Sequence, residues 1–274
     1  MSLFIASLNS GSNGNCYYIG NGTEAVLIDA GISCRETEKR MKRAGLQMQT
    51  VKAIFISHEH ADHISGVSVL SKKYQLPVYI TPGTLQNSRL HIEAHCIIPF
   101  KAYEQITVGG LQVNAFPKLH DAQDPHSFTV SCNAVTVGIF TDIGNCCQHV
   151  TNHFKQCHAA FLEANYDTAM LAAGSYPYHL KKRISGGNGH LSNDEALRLF
   201  TTHRPPFMSH LILSHLSKNN NEPQIVQGLF NGQAGNTAII VASRYEETKV
   251  YEINGNGKPV INKKQQQHLQ LSMF

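Results

Sequence analysis

The sequence predicts an α/β architecture with sheets covered by helices, on three observations. Short apolar runs rich in β-branched residues recur along the whole chain. Stretches with helix-capping signals fall between them. Neither a Ser/Gly/Pro-rich linker nor a repeat of fixed period breaks the pattern, so one domain spanning residues 1–274 is expected. With 42% hydrophobic residues, a chain of this length can bury a substantial core.

The expected strands are, in order, residues 3–8, 16–20, 25–30, 52–57, 77–81, 111–116, 127–132, 134–140, 159–164, 211–215, 238–243 and 249–253. Each is too short for a helix of typical length, and Gly, Pro or Asn bounds most of them. A helix over 33–44 should stop at Gly45. Ser192-Asn193-Asp194-Glu195 is a capping-box start for a helix running towards His203. Further helices are expected near 66–74, 167–173 and 223–230. The Gln-rich end, about 263–274, reads as a loose tail.

Composition narrows the classes. No uncharged apolar run reaches the roughly 18 residues of a transmembrane helix. The N-terminus lacks a basic flank before its short apolar run, so it reads as a strand and turn rather than a signal peptide. Seven cysteines, an odd number without C-x-x-C spacing, argue against a disulfide framework. A cytoplasmic location is therefore expected. A net charge of +4 permits a polyanionic partner without demonstrating one.

Chemistry concentrates in His58-Glu59-His60-Ala61-Asp62-His63, delivered directly by the run at 52–57. Three imidazoles and two carboxylates within six residues are expensive to pack unless something binds them. Imidazole with carboxylate suits Zn²⁺, Mn²⁺ or Fe²⁺. Asp29, His120, Asp142 and His215 each sit at or just beyond the end of another strand. Singly, a strand-end Asp is more often a turn residue; the four together with the six-residue cluster form a specific pattern.

This pattern resembles the metallo-β-lactamase superfamily, whose five motifs match in order. The resemblance implies an αββα four-layer sandwich with the site at one edge of two sheets. It implies two divalent metal ions, zinc or manganese first and iron as a further option. His58, His60 and His120 would hold the first ion. Asp62, His63 and His215 would hold the second, Asp142 would bridge both, and Asp29 would orient the ligand loop. A water shared by two cations loses a proton near neutral pH, and the resulting hydroxide, oriented by Asp62, attacks. The cluster alone does not choose among ester, thioester, lactam and phosphodiester.

Four further segments narrow the reading. SGGNGHLSNDEA, ILSHLSKNNN, LNSGSNGNCYYIG and LEANYD resemble the YycJ (WalJ) family, regarded as cytoplasmic 5′-to-3′ DNA exonucleases. By that resemblance the substrate is nucleic acid, specifically DNA. His190, 25 residues before His215, would protonate the leaving alkoxide; the plainer alternative is a loop histidine helping to cap the next helix. Ser12, Asn13 and Asn15 in the glycine turn, Lys181-Lys182-Arg183, and Asn220 are candidates for substrate contact, set against roles as turn and surface residues. Tyr166 departs from the histidine expected in many relatives. Only 73 positions separate Asp142 from His215, too few for a β-CASP insertion. The competing readings are a glyoxalase II-like or cyclic-phosphodiesterase small-molecule hydrolase, a tRNA 3′-processing ribonuclease, and a non-catalytic nucleic-acid-binding protein.

Overall fold

Alternate residues of the apolar runs face opposite ways, and in this chain both directions lead to apolar surroundings. In the computed structural model, which describes residues 2–256, the strands are β1 (Leu3–Asn9), β2 (Cys16–Gly20), β3 (Ala25–Ile28), β4 (Val51–Phe55), β5 (Val78–Ile80), β6 (Ile97–Pro99) and β7 (Gln105–Val108). They continue with β8 (Leu111–Pro117), β9 (His126–Cys132), β10 (Val135–Phe140), β11 (Ala159–Glu163), β12 (His210–Ser214), β13 (Ala238–Val241) and β14 (Tyr251–Ile253). Two seven-stranded sheets result, ordered β14-β1-β2-β3-β4-β5-β6 and β13-β12-β11-β10-β9-β8-β7.

Tyr17, Ile28 and Phe55 from the first sheet meet Phe128, Ile139 and Phe161 from the second in the core between them. Their sequence neighbours Tyr18, Leu27 and Ile54 turn outward, beneath the helices α1 (Cys34–Arg43) and α3 (Val67–Tyr74). Phe140, Leu162 and Leu213 likewise face α5 (Gln148–Phe154), α8 (Asn193–His203) and α9 (Pro223–Asn231). The layers are therefore helix, sheet, sheet, helix, as expected. Phe55 is fully buried and packs edge-on against Phe128 with ring centroids 5.8 Å apart. Truncating such a residue to alanine costs roughly 3–5 kcal/mol.

Crossover helices make one flank of each sheet parallel: β3-β4-β5-β6 in one, β10-β11-β12-β13 in the other. Parallel strands gather their carboxyl ends on one edge, where ligands bind in open α/β sheets. Ser33 caps α1 by accepting from the Glu36 amide, and Gly45 follows with φ +74°. The capping box of α8 is complete, with Ser192 and Glu195 each bonded to the other's backbone.

The elements without a sequence signal are short or polar. β6 spans three residues and ends on a proline, and β7 alternates exposed and buried residues. α2 (Ala61–Ile64) is one turn, and α4 (Pro82–Asn87) two. α7 (Tyr178–Ser185), which follows α6 (Thr168–Ala173), buries no residue, so it has no apolar stripe to read. The Gln-rich end lies outside the described residues. Among the described residues, no helix is long and apolar enough to cross a membrane.

Candidate metal centre

Every ligand candidate leaves a strand at the same edge. Asp29 follows β3, Ser57 to His63 follow β4, His120 follows β8, Asp142 follows β10, and His215 follows β12. Asp29, Asp142 and His215 all have left-handed backbones, with φ of 59°, 55° and 56°. Non-glycine residues occupy that region at a cost, repaid when the side chain must be aimed. The ligand loop is fastened to the β1–β2 turn and the β3–α1 connection, with Asn15 N donating to Asp62 O at 2.7 Å and Ala30 N to His63 O at 2.9 Å. Gly31 lies so close to the Asp62 carbonyl that a side chain would collide with it.

Three ring nitrogens converge on one side. His58 Nε2 is 3.0 Å and His120 Nε2 is 3.3 Å from His60 Nδ1. On the other side, Asp62 Oδ2 is 3.6 Å from His63 Nε2 and 3.4 Å from His215 Nε2. Asp142 stands between them, with Oδ2 3.0 Å from His63 Nε2 and Oδ1 3.8 Å from His120 Nε2. Within each triad, the ligating atoms lie within 4.8 Å of one another.

The opposite nitrogens are tied down. His63 Nδ1 donates to Asp29 Oδ2 at 2.7 Å, and the same carboxylate accepts from Ser57 N and Ser57 Oγ, both at 2.8 Å. His120 Nδ1 donates to Gly189 O at 3.0 Å. His215 Nδ1 donates to Glu163 Oε1 at 3.0 Å, and His190 Nδ1 to the same oxygen at 2.8 Å. A proton fixed on Nδ1 leaves the Nε2 lone pair for the centre, the arrangement that metal-ligating histidines share.

Charge makes the same demand. Asp29, Asp62, Asp142 and Glu163 are all buried or nearly so. Burial opposes ionisation of Asp142, but His215 and His63 outweigh it and hold its carboxyl well below the usual range. Burial also opposes a charge on His215, yet Asp142, Asp62 and Glu163 raise it to about 10. Burial keeps His58 well below its ordinary value, hence neutral and able to donate a lone pair. Asp142 Oδ2 is buried with no hydrogen-bond partner among the described residues, although His63 Nε2 is close. Imidazole lone pairs facing an unpartnered carboxylate oxygen fit divalent cations.

A cavity of about 300 Å³ opens over the cluster, walled by His60, Asp62, Asp142, His190 and His215 and, on the far side, by Ser12, Tyr176 and Arg183. Arg183 Nε reaches Asp121 Oδ2 at 2.5 Å. The other basic candidates point elsewhere: Lys181 Nζ donates to Ala172 O at 2.6 Å, and Lys182 is exposed outside the cavity lining. Asn13 donates to the Arg244 carbonyl, away from the cavity. Asn15 is buried beside the ligands, its Nδ2 3.0 Å from His63 Nε2 and 3.2 Å from Asp62 Oδ2. Asn220 is buried in the turn after His215, where its carbonyl accepts from Asp167 N. Tyr166 pairs with Ser192 at the start of α8, outside the cavity lining.

Glu163 is the functional residue that the sequence reading missed. Fully buried at the end of β11, it accepts four hydrogen bonds: two from histidines on Oε1, and two on Oε2 from Ile143 N at 2.8 Å and Leu191 N at 3.1 Å. The available signal was an acid between Leu162 and Ala164, closing a run otherwise free of charge.

Residues 24–216 match the Beta-lactamase superfamily domain. The chain is 34% identical over 233 residues to exodeoxyribonuclease YycJ of Bacillus anthracis, covering 83% of this chain and 87% of that protein. The chain belongs to the YycJ/WalJ family of the metallo-β-lactamase superfamily. Exodeoxyribonuclease WalJ of Streptococcus pneumoniae is 30% identical over 219 residues, covering 78% of this chain and 81% of its own. Zn²⁺-bound PqqB from Methylobacterium extorquens shares the fold at a TM-score of 0.71 and 13% identity, over 90% of this chain and 99% of that one. Family membership and the histidine–aspartate clusters together support divalent-metal binding and a metal-dependent nuclease or phosphodiesterase.

Proposed function

We propose that the protein is a two-metal 5′-to-3′ exodeoxyribonuclease that acts in the cytoplasm. The observation that carries this reading is the placement of His190. It lines the cavity beside both ligand triads, while its Nδ1 is anchored on a carboxylate that also anchors the ligand His215. From there it could protonate the alkoxide that leaves a phosphodiester. The relatives' names supply DNA and the exonuclease activity. Seven free thiols fit a reducing compartment.

In this reading His58, His60 and His120 hold one ion, Asp62, His63 and His215 hold the other, and Asp142 joins them. The donors suit zinc or manganese, and iron is admitted by the same chemistry. Such a pair supplies a hydroxide nucleophile near neutral pH and polarises the phosphoryl oxygen. The chain's own residues do the rest. Asp62, with the Asn15 amide 3.2 Å from its Oδ2, orients the nucleophile. Glu163 holds the His190 ring so that its free nitrogen faces the leaving oxygen. Burial opposes the Glu163 charge, but His190 and His215 hold its carboxyl down to about 2, so it stays ionised. Arg183 and Ser12 line the cavity and would grip a terminal phosphate. The cavity suits one nucleotide rather than a duplex, which favours removal of single terminal nucleotides.

The test is incubation with 5′-phosphorylated, 5′-labelled single-stranded DNA, with and without chelator. Release of labelled mononucleotide, abolished by chelator and by Asp62→Ala or His60→Ala, is the expected result. Label released only as longer fragments, or activity that survives either substitution, overturns it. Metal analysis should give two ions per chain, spaced roughly 3.5–4 Å apart.

A further inference from the structure

A second cavity, of about 640 Å³, adjoins the first, and Ser217 lines both. Its near wall is Leu216-Ser217-Lys218, the residues that immediately follow the ligand His215. Ser10 also lines it, and the Ser10 hydroxyl accepts from His215 N at 2.7 Å. The floor is β13, the edge strand of the second sheet, whose four residues are all partly exposed. Arg244, Tyr245 and Tyr251 form the far wall. Tyr245 is 72% exposed, a large aromatic left standing in solvent.

Charge and shape agree on the occupant. Lys218 and Arg244 line the groove, and neither forms an ion pair among the described residues. Arg244 spends one donor on the Leu216 carbonyl at 3.2 Å, which holds its guanidinium beside the chain leaving the metal centre. The single acid in the lining, Glu222, sits at the start of α9. Half-exposed Ile239 and Val241 and the Tyr245 ring offer apolar faces to bases, and the two cations offer partners to phosphates. Basic side chains tracking a backbone beside an aromatic platform are what single strands bind.

We infer that this groove carries the single strand beyond the nucleotide being removed, with Lys218 and Arg244 on its phosphates and Tyr245 stacked on a base. The inference rests on the nuclease reading above. The strand enters along β13, passes Ser217 and ends in the smaller cavity, where the Tyr176 and Arg183 wall stops it. Sequence independence follows, because stacking and phosphate contacts do not select a base.

The experiment compares kcat/KM on a long 5′-phosphorylated single strand with kcat/KM on a 5′-phosphorylated dinucleotide that does not reach the groove. In the wild-type protein the long strand should be preferred. Tyr245→Ala should lower the long-to-short ratio about 5- to 150-fold, the usual range for one stacked base. Lys218→Ala should take about 0.7 off the slope of log affinity against log salt for a hydrolysis-resistant phosphorothioate strand. A folding defect would lower both activities and leave the ratio in place. Wild-type protein that degrades neither substrate would overturn the nuclease reading and this inference with it. Degradation of both, with a ratio that Tyr245→Ala and Lys218→Glu leave unmoved, overturns the groove alone. The same fall from Lys155→Glu, an exposed residue just past α5 that lines neither cavity, would reduce the effect to net charge and also overturn it. If the groove variants change only the sedimentation of the protein, the groove belongs to a second copy of the chain.

Discussion

Glu163 shows how one buried side chain can serve two tasks. Four N–H donors converge on its two oxygens, and only a carboxylate can accept from all of them. Glu163→Gln keeps the shape but turns an NH₂ towards donors, leaving buried groups unpaired. A loss of about 1–3 kcal/mol in stability is expected, measured by denaturant unfolding. Metal affinity should fall about 10- to 100-fold because His215 loses its orienting partner. His190→Ala should behave differently. Turnover should drop about 10²–10⁴-fold with metal content unchanged, and the drop should shrink on a nitrophenyl phosphodiester, whose phenolate leaves without a proton. Equal loss on both substrates would leave His190 as a helix-capping residue, and loss of an ion would make it a ligand. The histidines were legible in the sequence because their spacing has no cheap structural explanation. Glu163 was not, because an acid at a strand end is ordinarily solvated, and only the tertiary structure shows this one to be dry.

At the scale of elements, the strands were easier to read than the helices. Runs such as those containing Tyr17, Leu27 and Phe55 are apolar on both faces, so each carries its signal in a few residues. α7 has no buried residue to give periodicity, although it stands over the cavity and carries Arg183. β6 and β7 are held by pairing with β5 and β8 more than by their own composition. Helix docking has its own test in Glu38. On α1 it accepts from Lys73 Nζ at 2.6 Å and Tyr74 OH at 2.8 Å, both on α3, and from Cys34 Sγ at 3.2 Å. The Lys73 hydrogen bond is the largest influence holding its carboxyl down to about 2. A folded-state value below the unfolded one stabilises above about pH 4.5, and that contribution is lost as pH falls towards 2. Glu38→Gln should therefore cost stability at neutral pH, by no more than about 1 kcal/mol for a partly exposed pair. The difference from wild type should vanish in acid. A thermal-unfolding series from pH 7 to pH 2 reads both; a gap that persists at the acid end would assign the cost to packing instead.

For the whole molecule, the centre lies across the seam between the two sheets. Asp29 and the loop from His58 to His63 belong to the first sheet, while His120, Asp142, Glu163 and His215 belong to the second. Ions bound there would fasten the sheets to each other at an edge where, among the described residues, no strand pairs across. Anything that binds only the folded state stabilises it by mass action, about 2.7 kcal/mol at a hundredfold excess over Kd. For a chain of this size that raises Tm by about 5–10 °C. Protons compete for the same positions: the metal-free carboxylates raise the His215 imidazole to about 10 and push His63 well above its ordinary value. An ion must displace the protons on the nitrogens that face it, so acid favours the metal-free form. The Tm gain on adding zinc or manganese should therefore grow from pH 6 to pH 8, with protons released to a weak buffer at loading. Asp142→Asn removes the carboxylate that stands between the two triads and should abolish most of the gain while leaving the interior of the sandwich intact. A gain that is independent of pH, or one that Asp142→Asn retains in full, would mean that the ions bind elsewhere and that the histidines close the seam with their own protons.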